Sequence, residues 1–181
     1  MTIDMPTSFL DVSDVRQVPD HQECWQDVNA GQLLVIEILQ YQSDVSDDTA
    51  ASYFFEDLRD ANGTSMQDSR FQAISSSNDT IRQRLELPST ARLCPGVGYQ
   101  RVLLGREVDI GGNPRIQEER FLRVDLCAIR LPSVETDLLV TLSTPTTSLE
   151  SSPQGPEGVQ MSSLFESILA TLKIRDWNLF G

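Results

Sequence analysis

The chain has 181 residues, 39% apolar and 23% charged, with a net charge of −13, which suits one domain with a buried core. Residues 1–60 hold 13 acids against only Arg16 and Arg59, so nearly all the excess charge lies in the first third. Such a chain repels a phosphate backbone, which argues against nucleic-acid binding and a polybasic membrane contact, and no apolar run is long enough to span a bilayer.

The start, Met1-Thr2-Ile3-Asp4, lacks the basic and apolar regions of a signal peptide and is too acidic for a transit peptide. Cys24, Cys94 and Cys127 are odd in number and widely spaced, as expected of reduced thiols in the cytosol or nucleus. Residues 33–39, Leu-Leu-Val-Ile-Glu-Ile-Leu, form an apolar run of strand length that reads as covered on both faces. Glu37 within it must reach solvent, a donor or a cation, because a carboxylate buried alone is costly. Ser46-Asp47-Asp48-Thr49 is a cluster of capping residues, and Ala50, Ala51, Phe54, Leu58 and Ala61 follow at helical spacing before an Asn62-Gly63 stop. That pattern predicts a helix of about four turns with Phe54 and Leu58 inward and Phe55 covering a neighbouring edge.

Residues 69–75 alternate like a strand, and 76–97 read as a loop with a short helical piece near Asp79–Leu87. Residues 99–108 and 119–131 predict a hairpin around Gly111-Gly112-Asn113-Pro114. In its second arm Leu122, Val124, Leu126 and Ala128 share one face, and Arg123, Asp125 and Cys127 the other. A short turn from Leu131-Pro132 to Glu135 leads into a strand over Asp137–Thr144. Residues 145–160, rich in Pro, Gly, Ser and Thr, read as a flexible loop. A capping box, Ser163-Leu164-Phe165-Glu166, opens a last helix that docks Leu164, Phe165, Ile168, Leu169 and Leu172 on the sheet. The tail Ile174–Phe180 is apolar enough to add a strand or plug the core. Antiparallel strands with helices between them define an α+β fold, one sheet covered by helices, in a single domain over 1–181.

Chemical equipment is sparse. His21 is the sole histidine, so any Ser-His-Asp or Cys-His arrangement would pass through it, and its polar turn suits an exposed loop residue better. Zinc would need His21 and Cys24 with two distant cysteines. There is no phosphate-binding Gly-x-x-x-x-Gly-Lys motif, the only lysine is Lys173, and Gly96, Gly98 and Gly105 make no dinucleotide fingerprint. The expectation is a protein with no catalytic chemistry and no cofactor or metal.

One segment is specific. Pro6–Glu23 places Asp11, Asp14, Asp20 and Glu23 with Arg16 in thirteen residues. Read from its residues alone it is a solvated loop, with Asp11 or Ser13 capping a turn, Arg16 paired locally and Val12, Val15 and Val18 as anchors. It also closely resembles the signature of the Ran guanine nucleotide release factor family, the Mog family. The matching residues are Phe9, Asp11, Val12, Ser13, Arg16, Val18, Pro19, Asp20, Gln22 and Glu23, followed by Leu34-Val35-Ile36-Glu37-Ile38-Leu39. The likeness continues at Ala50-Ala51, Phe55-Glu56-Asp57-Leu58, Asn62-Gly63, Ala128-Ile129-Arg130-Leu131, Thr136–Thr141 and Ile174–Gly181. Two departures stand out. The family's Leu-Phe-Gly-Gly-Ala-Ile-like segment is expected before the first strand, whereas this sequence starts at Met1-Thr2-Ile3, so the expectation is either a shortened sequence or a weak first strand. Gln40 also stands where an acidic residue is expected.

The resemblance implies an antiparallel sheet sandwiched by helices, similar to the PsbP protein. It implies binding to the GTPase Ran, nucleotide release and support of nuclear import, in nucleus and cytoplasm. The expected partner is Ran alone, with no nucleic acid or membrane, and the chain is expected to be a monomer. On this reading Asp11, Asp14, Asp20, Glu23 and Glu37 converge on one acidic face that docks a basic surface of Ran near its nucleotide. Asp14 adds ancillary charge and Arg16 braces the loop. Competition with phosphate for lysine and perturbation of the Mg²⁺ both remain open as routes to release. An adaptor or trafficking scaffold using the same surface is the alternative.

Overall fold

The computed structural model describes residues 1–74, 81, 84–104, 118–149 and 159–180. Strand-forming residues build β1 (Leu10–Asp11), β2 (Gln22–Asp27), β3 (Gln32–Gln40), β4 (Ser69–Ala73), β5 (Arg92–Leu104), β6 (Glu118–Leu131) and β7 (Thr136–Thr146). They pair antiparallel throughout in the order β1-β2-β3-β7-β6-β5-β4. Two helices lie wholly within the described residues, α1 (Asp47–Ala61) and α2 (Ser163–Leu169).

Alternation divides the core between the two faces of this sheet. On one face, Ala50, Ala51, Phe54 and Phe55 of α1 pack on Cys94, Val124, Leu126, Ala128 and Leu139. On the other, Phe165, Ile168 and Leu169 of α2 pack with Leu34, Ile36, Ile129, Leu138, Val140 and Leu142. Helices therefore cover both faces, and the faces expected for β6 are the faces observed. Each Phe, Leu, Ile and Val among them stabilises the fold by about 1.5–3 kcal/mol relative to exposure. Phe55 lies on the α1 face because Gly98 gives it room, since a Cβ on Gly98 would sit 2.1 Å from Phe55 Cε2. Phe55 also stacks on Phe71 with ring centroids 4.7 Å apart, so it covers the β4 edge as expected.

Two polar clamps fix the helices. Arg130, 1% exposed, donates from Nε to Asp137 Oδ1 (3.2 Å), from Nη1 to Asp47 Oδ1 (3.1 Å) and the Val45 carbonyl, and from Nη2 to the Gln42 carbonyl (2.6 Å). It also lies over the Tyr41 ring, 4.5 Å from the centroid. One side chain thus joins β6, β7, the 41–46 loop and the start of α1. Beyond it, the buried Asp125 carboxylate accepts from Arg123 (2.9 Å) and from Ser162 N (2.9 Å), which holds the chain at the start of α2.

Several expectations change at the boundaries. The 76–97 loop gives way at Arg92 to β5, which begins seven residues before the expected strand. Leu85 N donates to Ile81 O (3.1 Å), a helical bond inside the expected helical piece, whereas residues 75–80 and 82–83 lie outside the described residues. The expected turn at 111–114 and most of the 145–160 loop, residues 150–158, also lie outside them, and β7 carries the chain through Thr146. The capping residue of α2 is Ser162, one position earlier than the box implies, because its Oγ accepts from Phe165 N (3.3 Å). Leu58 and Leu164 are only half-buried on their helices. The tail plugs the core, with Ile174, Trp177 and Phe180 packed against it. Met1–Ile3 makes a single bridge, Thr2 to Lys173, in place of a full first strand.

Candidate partner-binding surface

The specific segment is an edge of the sheet rather than a free loop. Phe9 is buried in the core and leads into β1, where Leu10 pairs with Gln26 and Asp11 with Trp25. Asp11 then ends the strand, as its Oδ1 accepts from Ser13 N (2.8 Å) and caps a tight turn over Val12–Asp14. Hydrogen bonds from the Ser13 side chain and then its backbone hold the Asp11 carboxyl below the usual aspartate range. Val12 anchors the turn by burial, but Val15 is 84% exposed. Asp14 is exposed in the same turn. Arg16 offers a correction: its side chain makes no ion pair among the described residues, so it does not brace the neighbouring acids.

A second turn carries the next two acids. Gln22 N donates to Pro19 O (2.9 Å), which places Asp20 and His21 at the tip and Glu23 on β2. The register pairs Glu23 with Ile36 and Gln22 with Glu37. Glu23, Trp25 and Ile36 therefore share one face of the sheet, and Gln22 and Glu37 the other. Glu37 satisfies the requirement set by its apolar run, since its Oε1 accepts from Gln22 Nε2 (2.8 Å) and lies 3.3 Å from His21 Nε2. His21 is exposed, as expected of a loop histidine.

Asp20 and Glu23 come together at a half-open groove of about 450 Å³. Its lining includes Met1, Ile3, Met5, Trp25, Ile36 and Ile38, with His21 and Gln22 beside the acids and no lysine or arginine. The N-terminal wall is held by Thr2 N to Lys173 O (2.9 Å), Lys173 N to Thr2 O (2.8 Å) and Asp4 N to Thr171 Oγ1 (2.8 Å). Of the five acids expected on one face, the groove gathers two. Asp11 and Asp14 sit in the turn alongside β2, and Glu37 braces the Asp20–Gln22 turn from the other face. Met1, Ile3, Met5 and Trp25 were not singled out from sequence. The available signals were the Met1-x-Ile3-x-Met5 alternation and the position of Trp25 two residues after Glu23.

The rest of the described surface offers little chemistry. Among the described residues no group of three or more His, Cys, Asp and Glu is placed to hold a metal ion. A second cavity of about 260 Å³ at the start of α1 is lined by Asp47, Asp48 and Cys94, but Asp47 is already held by Arg130 and Arg92. Burial and then the Asp47 charge push the Cys94 thiol up to about 12, and burial raises Cys127 as well.

An antiparallel seven-stranded sheet with a helix on each face, and an acidic turn beside an apolar groove at its edge, defines an α+β sandwich. Residues 1–145 match the family model described as "Ran-interacting Mog1 protein", and the chain belongs to this family. It is 32% identical over 182 residues to the Ran guanine nucleotide release factor of Homo sapiens, covering 98% of this chain and 90% of that protein. It is 30% identical over 180 residues to that of Danio rerio, covering 97% and 92%. Against the nuclear import protein mog1 of Schizosaccharomyces pombe it is 28% identical over 174 residues, covering 94% and 86%. The fold is similar to a solved Mog1 mutant (TM-score 0.60, 18% identity, 97% and 91% coverage). It is also similar to the Saccharomyces cerevisiae Ran-binding protein Mog1p (TM-score 0.52, 19% identity, 79% and 70%).

Proposed function

We propose that this chain binds the small GTPase Ran and promotes release of its guanine nucleotide, supporting protein import into the nucleus. It acts in nucleus and cytoplasm as a monomeric regulator with no catalytic chemistry of its own. The observation that carries this reading is that Asp20 and Glu23 line one groove that has no lysine or arginine in its lining, in a chain about 30% identical to named Ran release factors. Two exposed carboxylates there attract a basic surface, speeding encounter and fixing orientation more than they add affinity. Asp11 and Asp14 extend the negative field along β2, and Glu37 holds the turn in place. Once docked, the carboxylates loosen the nucleotide by competing with its phosphates for lysine or by disturbing the Mg²⁺.

The test is calorimetric titration of the chain into Ran carrying GDP, GTP or no nucleotide. Tighter binding to nucleotide-free Ran than to either loaded form is expected of a release factor. Equal affinity for all three states would mark an adaptor and overturn the release function.

A further inference from the structure

The acids account for charge, but they do not account for the groove beneath them. Ile36 is almost wholly buried, and it lines, with Trp25, Ile38 and the Met1–Met5 segment, a cavity of about 450 Å³. That volume falls within the range of about 300–1,000 Å³ usual for sites that enclose a ligand. No other part of the described chain fills it. Two exposed carboxylates, Asp20 and Glu23, line it beside His21 and the Met1 end of the chain, with no lysine or arginine among the lining residues. An apolar cavity with a carboxylate rim is complementary to a bulky apolar side chain flanked by cations.

We infer that the groove receives a loop of the bound GTPase carrying a Leu-, Met- or Phe-like anchor next to lysine or arginine. The apolar side chain enters between Met5 and Trp25, and the neighbouring cations meet Asp20 and Glu23. This inference rests on the Ran reading and adds the chemistry of the segment recognised. It divides the work by kinetics. Rim charges set the rate of association, whereas the desolvated anchor sets the rate of dissociation.

The division is tested by stopped-flow binding to Ran with neutral groove variants, Met5→Asn and Ile3→Asn, beside the rim variant Asp20→Asn/Glu23→Gln. Melting curves first establish that each variant is folded. The groove variants are expected to speed dissociation about tenfold and to leave association and its salt dependence near those of the unaltered chain. The rim variant is expected to slow association, most of all at low salt. Folded groove variants that dissociate at the original rate overturn the inference while leaving Ran binding intact. A chain that does not bind Ran at all overturns the underlying reading and the inference with it. Should both groove variants unfold, fluorotryptophan labelling of the unaltered chain decides. The Trp25 fluorine resonance is expected to shift on adding Ran, and an unmoved resonance overturns the inference.

Discussion

Arg130 on β6 and Asp137 on β7 are direct cross-strand partners, both essentially inaccessible to water, with Nε and Oδ1 3.2 Å apart. The pair does more than join two strands. Arg130 also binds the Gln42 and Val45 carbonyls and Asp47, and Asp137 Oδ2 accepts from Gln42 N (2.8 Å). The crossover from β3 to α1 is therefore wrapped around Arg130, which gives four hydrogen bonds and pairs with both Asp137 and Asp47.

Breaking that pair leaves a buried carboxylate and two carbonyls without their donor. Arg130→Met is expected to destabilise the protein by about 3–5 kcal/mol, read as a fall in the urea midpoint. Adding Asp137→Leu removes the stranded charge, and the double variant is expected to recover part of that loss.

Gly98→Ala is expected to cost about 1–3 kcal/mol, because the new methyl collides with the Phe55 ring that packs against the strand. Phe55→Leu in the same background relieves the collision, so the two substitutions are expected to be less than additive in thermal melts.

These two sites show where the sequence was readable and where it was not. The 33–39 run, the Ala50–Phe54 stripe and the β6 alternation carry their structure in local spacing, and each forms as expected. Arg130 gave no sign of burial, because its acceptors come from Gln42, Val45, Asp47 and Asp137, distant in sequence or on the next strand. β1 and β2 were hidden for a different reason. β1 is two residues long and β2 is polar at Gln22, Glu23, Gln26 and Asp27, so neither shows an apolar period. Of the site, the acids were legible through their spacing in the family signature, but the groove was not. Its N-terminal wall depends on Thr2 meeting Lys173 across the length of the chain.

Asp27 makes stability fall in acid. Its carboxyl is held below the ordinary 3.8 by hydrogen bonds from Ala30 N, the Ser8 side chain and Asn29 N, the two backbone bonds closing the β2–β3 turn. A depressed folded value contributes stability above the unfolded aspartate value and loses it as pH falls through the folded one. Urea midpoints measured from pH 5 downwards are expected to drop less steeply below about pH 4 in Asp27→Asn than in the unaltered chain.

Cys94 is expected to resist alkylation. With its thiol pushed up to about 12 by burial and the Asp47 charge, it carries almost no thiolate at pH 8. Mass spectrometry after iodoacetamide is expected to find Cys94 unmodified in the folded protein and modified in urea.

Glu37 separates bracing from docking. Glu37→Gln keeps an acceptor for Gln22 and removes a charge from the face opposite Glu23. Its association rate with Ran is expected to stay within about twofold of the unaltered rate, unlike that of a rim variant.

The most direct measurement follows a fluorescent guanine nucleotide leaving Ran, with the unaltered chain and with folded Asp20→Asn/Glu23→Gln, at low and physiological salt. The account predicts that the unaltered chain accelerates release and that the variant loses about tenfold or more of that acceleration. It further predicts that the gap between them narrows as salt screens the rim. Equal acceleration by the two proteins would contradict it.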